Sequence, residues 1–214
     1  MSHCKLCSLK RKLVKAHAIP EAFFRELRVD GETPLLVSGV EGMFPKKAPI
    51  SVYDEGILCE ACEPTFGVID DYGIDVLLKH FSTHFRPLER DGAMAGFESN
   101  TVDPLRLLQF LVTVLWRASV STHPFYSKVK LGPHEALANG ALTGQDDVSP
   151  VFNAVLSRWR EEGEKMPTSG AYALIYLATQ ANTYKAAQLL ITLVTYLPPY
   201  KTTPACLLAA CKCA

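Results

Sequence analysis

Cys4-Lys5-Leu6-Cys7 and, further on, Asp54-Glu55-Gly56-Ile57-Leu58-Cys59-Glu60-Ala61-Cys62-Glu63 decide how the first third of this chain is read. Each stretch holds a C-x-x-C. Two intervening residues let both thiolates of a pair turn towards one ion, and two pairs supply the four soft ligands of a closed tetrahedral zinc site. A single pair would equally suit a thioredoxin-like redox motif, but neither pair lies in a strand-helix-strand context. The competing reading is four unrelated buried thiols. With Cys4, Cys7, Cys59 and Cys62 as ligands no coordination position remains for water, so zinc here is expected to organise the fold rather than to catalyse.

Working outward, residues 8–58 carry several glycines and prolines around short β-prone runs at 34–38 and 50–53, which reads as loop and hairpin. Beyond Cys62 the spacing of Phe66, Ile69, Val76, Leu77 and His80 is helical, with Gly67 and Gly73 as potential breaks. Asp103 as N-cap and Pro104 at the first helical position open a second helix reaching about Ser119. Its polar residues Arg106, Gln109, Thr113 and Arg117 form one narrow stripe on an otherwise apolar cylinder, which predicts a central core helix. A short helix is expected at 134–139. After Pro150 the stretches 151–159, 171–179 and 184–196 fit helix or strand, and their β-branched and aromatic content favours at least one antiparallel strand pair. The expected class is α+β: an N-terminal zinc module over residues 1–85, packed on a mainly helical companion, 86–214, with some antiparallel strands.

Within the cysteine frame stand Leu13-Val14-Lys15-Ala16-His17-Ala18-Ile19-Pro20 and the second stretch quoted above. Together they resemble the treble-clef, ββα-metal endonucleases of the His-Asn-His (HNH) superfamily. The resemblance covers residues 4–72, and residues 105–142 look like the companion region of bacterial zinc-pair proteins grouped with that superfamily. It implies His17 as the general base that deprotonates the attacking water, a task suited to an imidazole titrating near neutral pH. The metal-binding residue before that base is Ala16 here, the orienting Asn position is Asp54, and the final His position is Glu63. Asp54 and Glu63 are therefore the candidate ligands for a catalytic Mg²⁺ or Mn²⁺, ions that prefer oxygen. Ala16 supplies no ligand. His17 reads equally as a hydrogen-bonded structural histidine, and Glu63 as an acidic residue favouring a helix N-terminus.

The chain has 214 residues, with 22 Lys+Arg against 22 Asp+Glu. Zero net charge removes any global basic field, so contact with DNA would need a local patch, for which Lys5, Lys10, Arg11, Lys12 and Lys15 are the candidates. No membrane is expected, since the most apolar run, 105–120, is short and carries Arg106 and Arg117. A cytoplasmic setting is expected, where cysteines serve as thiols or metal ligands; Cys206, Cys211 and Cys213 are read as ordinary thiols. Asp70 and Asp71 read as solvent-facing, His80 and His84 as packing or surface residues, and Trp116 as core. Two functions follow: an HNH-like metal-dependent endonuclease hydrolysing DNA, or a catalytically degenerate zinc module that binds nucleic acid or a protein partner.

Overall fold

The chain begins with two small antiparallel ladders. Strand β1 (Ser2–His3) pairs with β2 (Lys10–Arg11), and β3 (Leu13–His17) pairs with β6 (Tyr53–Cys59). This computed structural model describes residues 2–25, 35–36, 44, 46–47, 52–127, 129–142, 151–157 and 174–179. The β3–β6 register runs from Leu13 opposite Cys59 to His17 opposite Tyr53, with an irregularity between Val14 and Ala16. Ala16, Ile57, Leu58 and Cys59 are buried, so the ladder lays its apolar side on the core. Between its strands lie α1 (Glu21–Arg25), whose Phe23 is buried, and the short pair β4 (Leu35–Leu36) and β5 (Lys46–Lys47).

From Cys62 the chain turns helical. A 3₁₀ turn (Glu63–Phe66) carries Pro64 where a missing N–H does no harm, and runs into α2 (Gly67–Ile74). Gly73 does not break the helix. It is buried, and a side chain there would overlap the Phe110 ring of the helix packed across it. Glycine is what lets the Phe110 ring lie against the α2 backbone. A π-helical turn (Asp75–Lys79) then leads to α3 (Phe81–His84) and to a hairpin, β7 (Arg86–Arg90) with β8 (Ala93–Glu98). The hairpin closes through Asp91 and Gly92 at φ 54° and 74°, the left-handed pair that a tight two-residue loop requires. Phe81 anchors its base, with ring centroids 4.6 Å from Phe85 and 5.0 Å from Phe97.

Helix α4 (Pro104–Val120) begins where the capping signals place it. The Asp103 carboxylate accepts from the Leu105 N–H at 3.0 Å and the Arg106 N–H at 3.1 Å. Leu107, Phe110, Leu111, Val114, Leu115 and Ala118 are buried, and Trp116 is fully enclosed, stacked on Phe66 at 6.2 Å. The polar stripe divides along its length: Arg106 is exposed, whereas Thr113 and Arg117 are buried. Arg117 reaches across to α2 and donates two hydrogen bonds to Asp70, at 2.7 and 2.6 Å, while its guanidinium lies 4.7 Å from the centre of the Phe66 ring. Asp70 is thus not the solvent-facing residue its helical setting suggested, because a buried guanidinium needs a carboxylate.

Helix α5 (Glu135–Leu142) follows a 3₁₀ turn at Gly132–His134 and packs on α4. The expected strand pair is present: β9 (Phe152–Ser157) runs antiparallel to β10 (Leu174–Thr179), with Phe152 buried in the shared core. The fold is α+β, and one continuous apolar cluster includes residues from both sides of position 85. The stretch 184–196 and Cys206, Cys211 and Cys213 lie outside the described residues. No described helix is long and apolar enough to cross a membrane.

Candidate metal centre

Cys4 and Cys7 sit on the turn between β1 and β2. That turn is fixed by the Cys4 N–H donating to Leu9 O (3.0 Å) and the Ser8 N–H to Cys4 O (2.9 Å), with Ser8 in the left-handed region at φ 59°. The Lys5 N–H donates to Ile57 O at 2.8 Å and so fastens the turn to β6. Cys59 ends β6, and the Cys62 N–H donates back to Cys59 O at 2.9 Å, which turns the second pair towards the first. The four sulfurs come together, all within 4.8 Å of one another.

Cys7 Sγ lies 3.9 Å from Cys59 Sγ. A tetrahedral site with Zn–S bonds of ~2.3 Å has an edge of about 3.8 Å, so this spacing needs little adjustment to receive the ion. The Cys59 N–H also points at Cys4 Sγ, 3.4 Å away. These residues can hold one metal ion such as zinc, and among the described residues no other group of cysteine, histidine and carboxylate side chains has that geometry. Electrostatics within the quartet is uneven. Burial disfavours the Cys59 thiolate, but hydrogen bonds from Cys62 and Cys4 outweigh it and bring the group down to about 7. Cys62 is pushed well above the usual thiol range, by burial first and then by its three cysteine neighbours. A divalent cation at the centre would stabilise all four thiolates together.

The proposed oxygen ligands fare differently. Asp54 lies opposite Ala16 in the β3–β6 ladder and is buried. Its carboxylate accepts from five protein donors: Gly56 N–H (2.6 Å), Ser121 hydroxyl (2.7 Å), Thr122 N–H (2.6 Å), Thr122 hydroxyl (3.1 Å) and His123 N–H (3.0 Å). Burial alone would raise its pKa, but hydrogen bonds from Ser121, Gly56 and Thr122 hold it below the usual carboxylate value. Four of these bonds meet at Oδ2 and the Gly56 bond at Oδ1, so the side chain expected as a cation ligand ties β6 to the segment leaving α4. Only the five donors reveal this role, and all but Gly56 stand more than sixty residues away.

His17 ends β3, half-buried, with its ring 6.2 Å from Tyr53 edge to face. Glu63 is exposed at the first position of the 3₁₀ turn, beyond the end of the ladder opposite His17. The structure thus gathers the four cysteines. His80 and His84, set aside as packing or surface residues, share one partner. His80 Nδ1 lies 2.7 Å and His84 Nε2 3.0 Å from opposite oxygens of Asp75, and both contribute to holding Asp75 below its ordinary pKa. Comparison of the chain with protein-family models, with curated proteins and with solved structures gave no match in any of the three.

Proposed function

We propose that this chain is a zinc-organised binding module on an HNH-like scaffold whose catalytic cation set has been dismantled. The order of elements supports a treble clef over residues 1–85: a cysteine turn, an antiparallel ladder, then a helix, with one sulfur pair from the turn and the other leading into the helix. The observation that carries the non-catalytic reading is Asp54. Asp54 is buried and five protein donors, four of them on Oδ2, use its carboxylate as a structural anchor, while its ladder partner Ala16 has no side-chain donor at all. The zinc fixes the module; the partner it presents itself to is a nucleic acid or a protein.

His17 favours the second reading, a metal-dependent DNA endonuclease. It stands half-buried at the end of β3 with Tyr53 beside it, where a general base would be held. Plasmid nicking separates the two. The module reading expects no cleavage by the wild type in Mg²⁺, Mn²⁺ or without added metal, and none by Ala16→Asp. Cleavage that needs an added divalent ion and falls roughly 10²–10⁴-fold in His17→Ala, at unchanged zinc content, establishes the endonuclease instead.

A further inference from the structure

Helices α2 and α4 leave a cleft of about 200 Å³ along one side of their contact. Phe66, Val68, Ile69 and Leu142 give it apolar walls, Thr65 adds a hydroxyl, and Arg106 is its one cation. Arg106 is held by what lies beneath it. The Tyr72 hydroxyl accepts from the Asp103 N–H (2.8 Å) and donates to Asp103 O (3.2 Å), which pins the Tyr72 ring beside the start of α4. The Arg106 guanidinium lies over that ring, 4.5 Å from its centre. A ring steadies the cation but offers its N–H groups no acceptor oxygen. Lys15 and Arg117, which also lie over rings, each have a carboxylate partner. Among the described residues no other cation without such a partner lies over a ring, and this one lines a cleft as well.

We infer that this cleft binds a small monocarboxylic acid with an apolar body, its carboxylate on Arg106 and its body against Phe66, Ile69 and Leu142. The inference goes beyond the zinc module and does not depend on it. The planar guanidinium presents its donors as a rigid fork that matches a carboxylate. One cation also matches one negative charge, whereas a phosphate ester, with a charge of about −1.5 to −2, would meet too little positive charge here. The size of the cleft sets the size of the ligand. It is smaller than the ~300–1,000 Å³ of sites that enclose drug-sized molecules, so it suits an acid of about ten non-hydrogen atoms.

The test titrates the full chain with 3-phenylpropionate and, separately, with its neutral analogue 3-phenylpropionamide, read by backbone amide NMR shifts. A ligand of about ten atoms should bind in the millimolar range. The acid is expected to give saturable shifts centred on Thr65, Ile69 and Gln109, and the amide to bind about tenfold more weakly, as loss of a charge-assisted hydrogen bond implies. Arg106→Gln should weaken the acid about tenfold and leave the amide unchanged, while Arg90→Gln alters neither. Arg106 is exposed, so its replacement leaves the fold in place, and an unchanged amide spectrum away from the cleft verifies that. No saturable shift up to about 20 mM acid, an amide that binds as tightly as the acid, or an Arg106→Gln variant that binds the acid like wild type would each overturn the assignment.

Discussion

Asp54 is the residue on which the functional reading turns. Nothing in Tyr53-Asp54-Glu55 reveals its role, because Ser121, Thr122 and His123 are brought to it only when α4 ends beside β6. A carboxylate five residues before a cysteine pair fits a cation site as well as a structural anchor, and sequence spacing cannot tell one from the other. The anchor has consequences of its own. Asp54→Asn replaces an acceptor by an NH₂ group facing N–H donors, and should lower stability by about 3 kcal/mol in denaturant titration, the scale of one or two charged hydrogen bonds. Because the native pKa is lowered, the stabilisation is fully present above the unfolded carboxylate pKa of ~3.9 and is lost as pH falls through the lower native value. The gap between wild type and Asp54→Asn should therefore narrow below about pH 4. A gap that is constant or grows with acid would show that the carboxylate charge is not what the network uses.

Among the elements, helix α4 was the most legible. Asp103-Pro104 marks its start, and its apolar surface forecasts a central position, because capping chemistry and amphipathic spacing are local properties. The polar stripe was legible as a stripe but not in its division into a wet end and a dry one. That depends on Asp70 arriving from α2 to receive Arg117. Of the two potential breaks after Cys62, Gly67 does mark a change, from the 3₁₀ turn into α2, whereas Gly73 lies inside the helix for a related reason. Propensity treats Gly73 as a weakness, whereas tertiary contact makes it a requirement, since Phe110 occupies the space of its missing side chain. Two substitutions separate these effects. Gly67→Ala, with nothing within 4 Å of the added carbon, should stabilise the protein by up to about 1 kcal/mol. Gly73→Ala makes the same propensity gain but must displace a buried ring, and should destabilise by about 1–2 kcal/mol. Equal melting shifts for the two would contradict the close approach of α2 and α4.

At the scale of the whole molecule, charge and metal are both distributed unevenly. Net neutrality conceals an N-terminal stretch, residues 1–20, without Asp or Glu, and that stretch carries the turn whose cysteines contribute half of the metal centre. The sulfur quartet was legible because ligand spacing within each C-x-x-C is a local constraint, and two such pairs leave few alternatives. What the spacing does not contain is the closure of the β3–β6 ladder, with Leu13 opposite Cys59, that brings the pairs together. The ion would therefore join segments far apart in sequence, and metal binding should be coupled to folding of the first third of the chain. The direct measurement is elemental analysis of the protein purified without chelator, together with Cys59→Ser and a chelator-treated sample followed by thermal denaturation. About one zinc per chain is expected, with loss of that zinc in Cys59→Ser and a lower melting temperature after chelation that added zinc restores. A wild type without bound metal, or a Cys59→Ser variant that keeps a full equivalent of zinc, would contradict it.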